Sequence, residues 1–179
     1  ALDLKDADDR EIFLGLVDKA DVLIENQLAG AWERLGISLA EMRERRPELI
    51  YCSITGFGQT GPLSNLPSHG MNVDALSDSI KLEWRDGNPT LGWYYTSWGN
   101  ELRTASAAQA VCAALFERQR SGQGAWIDIA CWDALVESHR GEMGLSTVTG
   151  KPYNIRQRPK TQPLYDTYLS QDGKPVLLG

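Results

Sequence analysis

The sequence has few of the features that would define a function by themselves. Only three cysteines (Cys52, Cys112 and Cys131) occur among its 179 residues, and they lie far apart. A disulfide framework needs a dense, even set of cysteines, and a zinc site usually needs close pairs. We therefore predict neither, and we interpret each cysteine as a small core residue of a protein in a reducing compartment.

Long apolar runs and basic clusters are also missing. No apolar run approaches the ~20 residues that span a bilayer, and even Ala105–Phe116 is interrupted by Ser106 and Gln109. There are 24 acidic against 18 basic residues, giving a net charge of −6, whereas nucleic-acid binding needs a clustered basic face. The first residues contain no basic or apolar region of a signal peptide. We predict a cytoplasmic protein with no membrane span and no nucleic-acid partner.

The pattern that is present is typical of an α/β fold. Two short apolar strands, Ala20–Glu25 and Leu49–Ile54, are separated by two helical segments, the second of which ends before Pro47. Strands joined by helical connections indicate a parallel sheet. Ligands of such sheets bind beyond the carboxyl ends of the strands. Residues 25–30 and 55–62 are therefore the expected binding loops.

The rest of the chain continues the alternation of helix and strand. We predict a first helix that begins after the acidic segment 6–8 and has Ile12, Leu16, Val17 and Ala20 on one face. Further helices are predicted at 69–79, 105–119 and about 132–139, with a strand at 126–130 and a mostly irregular segment at 81–100. An extended linker at 151–163 precedes two antiparallel strands at 164–170 and 175–178. The predicted domains are residues 1–150 and residues 151–179.

Familiar catalytic motifs are missing. The sequence contains no Walker A loop, no His-Glu-x-x-His and no Gly-x-Ser-x-Gly. Gly56-Phe57-Gly58 is similar to the start of a dinucleotide fingerprint, but Pro62 follows and no helix opens after it. His69 and His139 are the only histidines, and their local sequence marks neither as catalytic. Composition and spacing alone leave the activity of this chain open.

Several stretches carry a family resemblance that covers nearly the whole chain. They are Ala1–Asp6, Ala20–Asn26, Pro47–Pro62 with its GFGQTGP run, Ala113–Arg118, Ser121–Gly124 and Trp132–Leu135. Together they resemble the family III CoA-transferases (the CaiB–BaiF family). The resemblance implies an incomplete, doubly wound parallel CoA-binding domain without the family's first strand, followed by the start of a smaller second domain. It also implies two chains interlocked as a homodimer.

The resemblance further implies a reaction. Members of the family move coenzyme A between carboxylic acids, so acyl-CoA and a carboxylic acid are the expected partners, with no metal ion. An aspartate attacks the thioester to give a mixed anhydride, and the CoA thiolate then returns to give an aspartyl-CoA thioester. This is covalent catalysis by a carboxylate, and the anhydride needs shelter from water.

The CoA-binding residues of the family carry over only in part. The resemblance places Asn26 beside the CoA adenosine and Arg34 at the CoA phosphates. Gln27 in the first binding loop, and Gly56 and Phe57 in the second, are the other candidate CoA-binding residues. Leu-Ala-Gly stands where the family usually has Arg-Pro-Gly after the asparagine. One cation for the pyrophosphate is therefore missing.

The nucleophile position departs most from the family pattern. Counting back thirteen residues from Ala113 places the family aspartate at Asn100, and Thr104 replaces the family's helix glycine. An amide cannot form the anhydride. Glu101 is adjacent, but a shift of one residue on a helix turns the side chain by about 100°. Either this chain is a non-catalytic subunit, or Glu101 acts from a rearranged loop.

Two further functions remain open at this point. His69-Gly70-Met71-Asn72 is similar to the histidine segment of the α-methylacyl-CoA racemase branch, which pairs a histidine with an aspartate as acid and base. His69 would be the base, but its partner would fall at Gly99 or Asn100, and neither is acidic. The third possibility is a non-enzymatic CoA-binding partner of an active paralogue, which would make the protein one half of a heterodimer.

Overall fold

The computed structural model describes residues 1–92, 95–152 and 166–178. Two compact units, residues 1–139 and 140–179, make up the chain, and the predicted domain boundary at residue 150 stays a prediction. In chain order the elements are α1 (Ala7–Val17), β1 (Val22–Glu25), α2 (Ala31–Arg34), α3 (Leu39–Arg45), β2 (Ile50–Thr55), α4 (Gly70–Leu76), β3 (Leu82–Arg85), β4 (Asn88–Leu91), α5 (Trp98–Ser121), β5 (Ala125–Ala130), α6 (Cys131–Ser138), α7 (Arg140–Thr149), β6 (Asp166–Leu169) and β7 (Pro175–Leu178).

The first unit is built on a parallel sheet with the strand order β1-β2-β5, which confirms the sheet predicted from the apolar runs. Tyr51 of β2 belongs to a core with residues of α1, α2 and α3, among them Leu14, Trp32 and Met42. Cys52 points to the opposite face and is fully buried, and α5 packs against β2 and β5. Helices therefore cover both faces, the doubly wound α/β arrangement that was expected.

The long helix α5 has 24 residues and runs from the carboxyl edge of the sheet to its amino edge. Near its end, Arg118 Nη1 donates to the carbonyls of Asp21 at 3.4 Å and Glu48 at 3.2 Å, just before β1 and β2. At its start, Gly99 lies against Cys131, directly after β5, where an added Cβ would stand 2.4 Å from Sγ. The first turn of α5 is thus placed where ligands of such sheets bind.

Several expectations about this unit are wrong. Residues 81–100 are not mostly irregular, because β3 and β4 form an antiparallel hairpin and α5 begins at Trp98. The turn is Asp86-Gly87, with φ of 51° and 76°, a dipeptide typical of such hairpins. Cys112 is exposed, unlike Cys52 and Cys131, because it lies on the outer face of α5.

The buried face of α1 also differs from the prediction. Asp6 caps the helix by accepting the N–H groups of Asp8 and Asp9, as its acidic start indicates. The core contacts come from Leu14 and Val17, one turn apart on a single stripe. Ile12 and Leu16, predicted to share that face, are 53% and 59% exposed because they lie on the adjacent stripe.

The second unit contains α7 and a hairpin. Strands β6 and β7 pair antiparallel, as predicted. The helix α7 was not predicted, because Gly141 and Gly144 lower the helix propensity of its segment. Most of the predicted linker at 151–163, and the start of the predicted strand at 164–165, lie outside the described residues.

Candidate functional site

The first predicted binding loop begins at Glu25, the last residue of β1. Its Oε1 accepts a hydrogen bond from the Tyr51 hydroxyl at 2.9 Å, and Trp32 Nε1 donates to the same hydroxyl at 2.9 Å. Burial raises the pKa of Tyr51 far above its ordinary value, and the hydrogen bond to the Glu25 carboxylate raises it further. The hydroxyl therefore stays protonated. The second carboxylate oxygen accepts the N–H of Gln27. The backbone of the loop is thereby fixed, while the side chains of Asn26 and Gln27 are exposed.

Arg34, the last residue of α2, lies over the end of the same loop. Its Nη1 donates to the carbonyl of Ala29 at 3.2 Å. Gly30 has a φ of 70° and passes close to the guanidinium, since a Cβ there would stand 3.2 Å from Nη1. The side chain is exposed. The guanidinium therefore keeps further N–H donors available to an anion beside the loop.

A polar row at the carboxyl edge of the sheet was not identified from the sequence. The strand register aligns Glu25 with Ser53, and Ser53 with Asp128, so the three side chains share one face. Gln59 bridges the row: its Nε2 donates to Ser53 Oγ at 2.7 Å and to the carbonyl of Gln27 at 3.0 Å. Its backbone N–H donates to Asp128 Oδ2 at 2.8 Å. The loop after β2 is thus joined both to the loop after β1 and to β5.

The loop after β2 also packs against the start of α4. An added Cβ at Gly56 would lie 1.7 Å from Ser68 Oγ, so only glycine fits there without a shift. The Gly56 carbonyl accepts the N–H of Trp132 at 2.9 Å. Phe57 is partly buried and packs against a cluster that contains Cys131. Gly56 and Phe57, predicted to bind the ligand, therefore also join β2 to α4 and α6.

His69 and Asn100 are brought together by α4 and α5. His69 is the N-cap residue of α4, and its side chain is exposed and makes no capping hydrogen bond. The next residue, Gly70, is buried against Asn100, where an added Cβ would stand 2.4 Å from Nδ2. Asn100 Oδ1 is buried and has no hydrogen-bond partner among the described residues. His69 therefore precedes Gly70 in the chain, and Asn100 contacts the same glycine in space.

Glu101 lies on a regular helical turn. Its backbone N–H donates to the carbonyl of Ser97 at 3.1 Å, and Thr104 Oγ1 donates to the carbonyl of Asn100 at 2.7 Å. Side chains of adjacent helical residues diverge by about 100°. Glu101 is exposed, and its role in catalysis stays a prediction.

Asp74 is a buried acid that the sequence analysis missed. It is 0% exposed, its Oδ1 accepts the N–H of Gly99 at 2.8 Å, and its Oδ2 accepts the hydroxyls of Tyr95 and Ser97, each at 2.8 Å. A buried carboxylate needs such partners. The signal available in the sequence was an acid between Val73 and Ala75, four residues after Gly70 and so on the same helix face.

The buried cysteines are not nucleophile candidates. Burial is the first cause that raises the pKa of the Cys52 thiol and of the Cys131 thiol, and a neutral thiol is a poor nucleophile. Within residues 1–92, 95–152 and 166–178, no group of three or more His, Cys, Asp or Glu side chains is arranged to hold a metal ion. The described part of the chain also has no helix that is long and apolar enough to cross a membrane.

The predicted site residues form two groups that the loop after β2 connects. Asn26, Gln27 and Arg34 lie around the loop after β1, which Gln59 contacts. His69 and Asn100 lie at the start of α4 and α5, next to the contact between Gly56 and Ser68. Helices on both faces of a parallel sheet define a doubly wound α/β domain, a class of fold whose ligands bind at the carboxyl edge of the sheet.

Comparison with known proteins identifies the family. The sequence model of CoA-transferase family III matches residues 1–179, and the chain belongs to this family. The chain is 37% identical over 180 residues to the acetyl-CoA:oxalate CoA-transferase of Acetobacter aceti, covering 99% of this chain and 46% of that protein. It is 32% identical over 191 residues to the alpha-methylacyl-CoA racemase of Mus musculus, covering 100% of this chain and 48% of that protein.

A solved structure supports the fold. The crystal structure of a CAIB/BAIF family protein from Brucella suis matches with a TM-score of 0.73 at 27% identity, covering 96% of this chain and 46% of that one. The family resemblance and the α/β fold class predicted from the sequence are thereby confirmed. The chain spans about half the length of these relatives.

Proposed function

We propose that this protein binds acyl-CoA at the carboxyl edge of its parallel sheet and takes part in the transfer of CoA between carboxylic acids. Family membership supports CoA chemistry in general. The observation that carries the proposal is the placement of Asn100, the residue at the family's nucleophile position, in the first turn of α5 and against Gly70.

The CoA-binding part of the proposal rests on the loop after β1. The side chains of Asn26, Gln27 and Arg34 are exposed, while Glu25 and Gln59 hold the loop backbone in place. A guanidinium bonded to phosphate makes a charge-assisted hydrogen bond. A loop that is already ordered loses little conformational entropy when the ligand binds. Arg34 is therefore the residue proposed to bind a CoA phosphate.

The catalytic part of the proposal follows from the amide. Asn100 can donate a hydrogen bond to a thioester carbonyl, but it cannot attack it and become acylated. We therefore assign this chain the role of a non-catalytic subunit, with a paralogous chain that carries aspartate at this position supplying the nucleophile in a heterodimer. A homodimer of this chain would bind acyl-CoA without forming the anhydride.

The experiment incubates the full-length protein with a panel of acyl-CoA thioesters and traps acyl-enzyme with hydroxylamine or borohydride before mass spectrometry. Wild-type protein should show no trapped adduct. Asn100→Asp should be labelled at residue 100, with a modest rate because nucleophile placement has not been tuned. Glu101→Gln is the control, since it should leave both results unchanged. A wild-type adduct that disappears in Glu101→Gln would instead assign the nucleophile to Glu101, and one that survives would contradict both assignments.

The racemase-like function is the second candidate. It is favoured by the exposed side chain of His69 beside the contact between Gly70 and Asn100, and the chain has a racemase among its relatives. In D₂O, deuterium incorporation at the α-carbon of a 2-methylacyl-CoA that His69→Gln abolishes would support it. Binding of acyl-CoA without exchange or transfer, alone or with a paralogue, would support a non-enzymatic CoA-binding partner.

A further inference from the structure

The first turn of α5 lacks an N-terminal cap of its own. An N-cap side chain normally accepts the N–H of the second or third helical residue. Here the N-cap residue is Ser97, and its side chain makes no capping hydrogen bond. Its hydroxyl donates to Asp74 instead, at 2.8 Å. The N–H of Gly99, the second residue of the helix, is accepted by Asp74 Oδ1 at 2.8 Å.

We propose that Asp74 is a positioning residue that caps α5 from the neighbouring helix α4, holds residue 100 in place, and disfavours a second carboxylate at position 100. The link to catalysis rests on the proposed function. The capping and the charge coupling between positions 74 and 100 do not depend on it.

The electrostatics of the helix end are consistent with this role. The three donors to Asp74 are a backbone N–H and the two hydroxyls of Tyr95 and Ser97, all neutral. Hydrogen bonds from several neutral donors can stabilise a buried carboxylate. The positive end of the α5 dipole is directed at the carboxylate. The 24-residue helix and the charge of Asp74 therefore stabilise one another.

The packing of α4 on α5 explains why positions 74 and 100 are coupled. Gly70 and Asp74 are one turn apart on the face of α4 that meets α5. Gly70 contacts Asn100, and Asp74 contacts Gly99. An aspartate at position 100 would add a second carboxylate near a buried one, and like charges repel one another. The amide fills the position without that repulsion.

The first test measures hydrogen exchange in the full-length protein, by mass spectrometry of peptides that cover residues 97–101. Asp74→Ala removes every acceptor and should speed exchange of these amides by about fivefold to tenfold. Asp74→Asn keeps an acceptor for Gly99 and should restore most of the protection. Asp133→Ala removes an exposed acid from the first turn of α6 and should have no effect on these peptides. Unchanged protection in Asp74→Ala, or no rescue by Asp74→Asn, would overturn the capping role.

The second test is a double-mutant cycle on thermal unfolding. Asn100→Asp should lower the unfolding midpoint more when Asp74 is present than in the Asp74→Asn background, by about 1–2 °C. Equal effects in the two backgrounds would overturn the charge coupling. Neither measurement uses acyl-CoA, so a protein that transfers no CoA still tests this proposal. The absence of an adduct in Asn100→Asp would count against the proposed function alone.

Discussion

Replacing Gly56 with alanine would force a methyl group into the side chain of Ser68. The new Cβ would stand 1.7 Å from Ser68 Oγ and 2.6 Å from Ser68 Cβ, where real Cβ contacts essentially never come under 3.0 Å. Rotation of the hydroxyl relieves only the first overlap, because Ser68 Cβ is attached to the backbone. Overpacking of this kind costs about 1–3 kcal/mol, and we expect Gly56→Ala to lower the free energy of unfolding by that amount.

Urea unfolding of the full-length protein measures this loss against two matched variants. Gly15 lies inside α1 with nothing within 4 Å of an added Cβ, so Gly15→Ala should raise the free energy of unfolding by about 0.5–1 kcal/mol. In the Gly56→Ala background, Ser68→Gly removes both overlapping atoms, and the next nearest atom is Val73 Cγ2, at 3.6 Å. It should therefore restore most of the loss. Full stability of Gly56→Ala, or no restoration by Ser68→Gly, would refute the packing argument.

Two further predictions concern charged residues. Arg34→Ala should weaken acyl-CoA binding by about 1–3 kcal/mol in calorimetry. Arg34→Lys should keep part of the affinity. An unchanged affinity in Arg34→Ala would contradict the assignment of Arg34 to a CoA phosphate. Hydrogen bonds from Arg45, at 2.9 and 2.8 Å, lower the pKa of the Asp18 carboxyl in the folded protein. The stabilisation from this pair is fully present above the unfolded-state pKa of about 3.9. It is lost as the pH falls through the lower folded-state pKa. Asp18→Asn should thus destabilise the protein at neutral pH and make no difference in strong acid; a difference that persists in acid has another cause.

The parts of the fold that the sequence could predict are those with a strong local signal. The apolar runs Ala20–Glu25 and Leu49–Ile54 predicted the strands β1 and β2. Gly122, with a φ of 68°, marks the end of α5. The hairpin of β3 and β4 was missed because its strands have only four residues each. Leu82 and Trp84 alternate with polar residues, but every residue of β3 is exposed, and β4 contains Pro89, which is uncommon inside strands. The start of α5 was placed seven residues too late because its cap comes from Asp74 on another helix.

The sequence could predict that the two candidate ligand loops lie at one edge of the sheet. Parallel topology places ligand loops at the carboxyl edge, and the structure joins the loops after β1 and β2 there. Gln59 and Asp128 could not be found in this way, because their contact depends on the register between strands that are far apart in the chain. The buried position of Asp74 depends on how α4 packs against α5, which no local pattern specifies.

The strand order β1-β2-β5 has a consequence for how the binding edge assembles during folding. Val22 pairs with Ile50, 28 residues later, whereas Ile50 pairs with Ala125, 75 residues later. Closing the longer loop costs about 0.9 kcal/mol more in chain entropy, and distant pairings form slowly. We therefore expect β1 and β2 to pair first and β5 to dock afterwards. The two ligand loops would meet early, and the contact between Gln59 and Asp128 that completes the edge would be among the last to form.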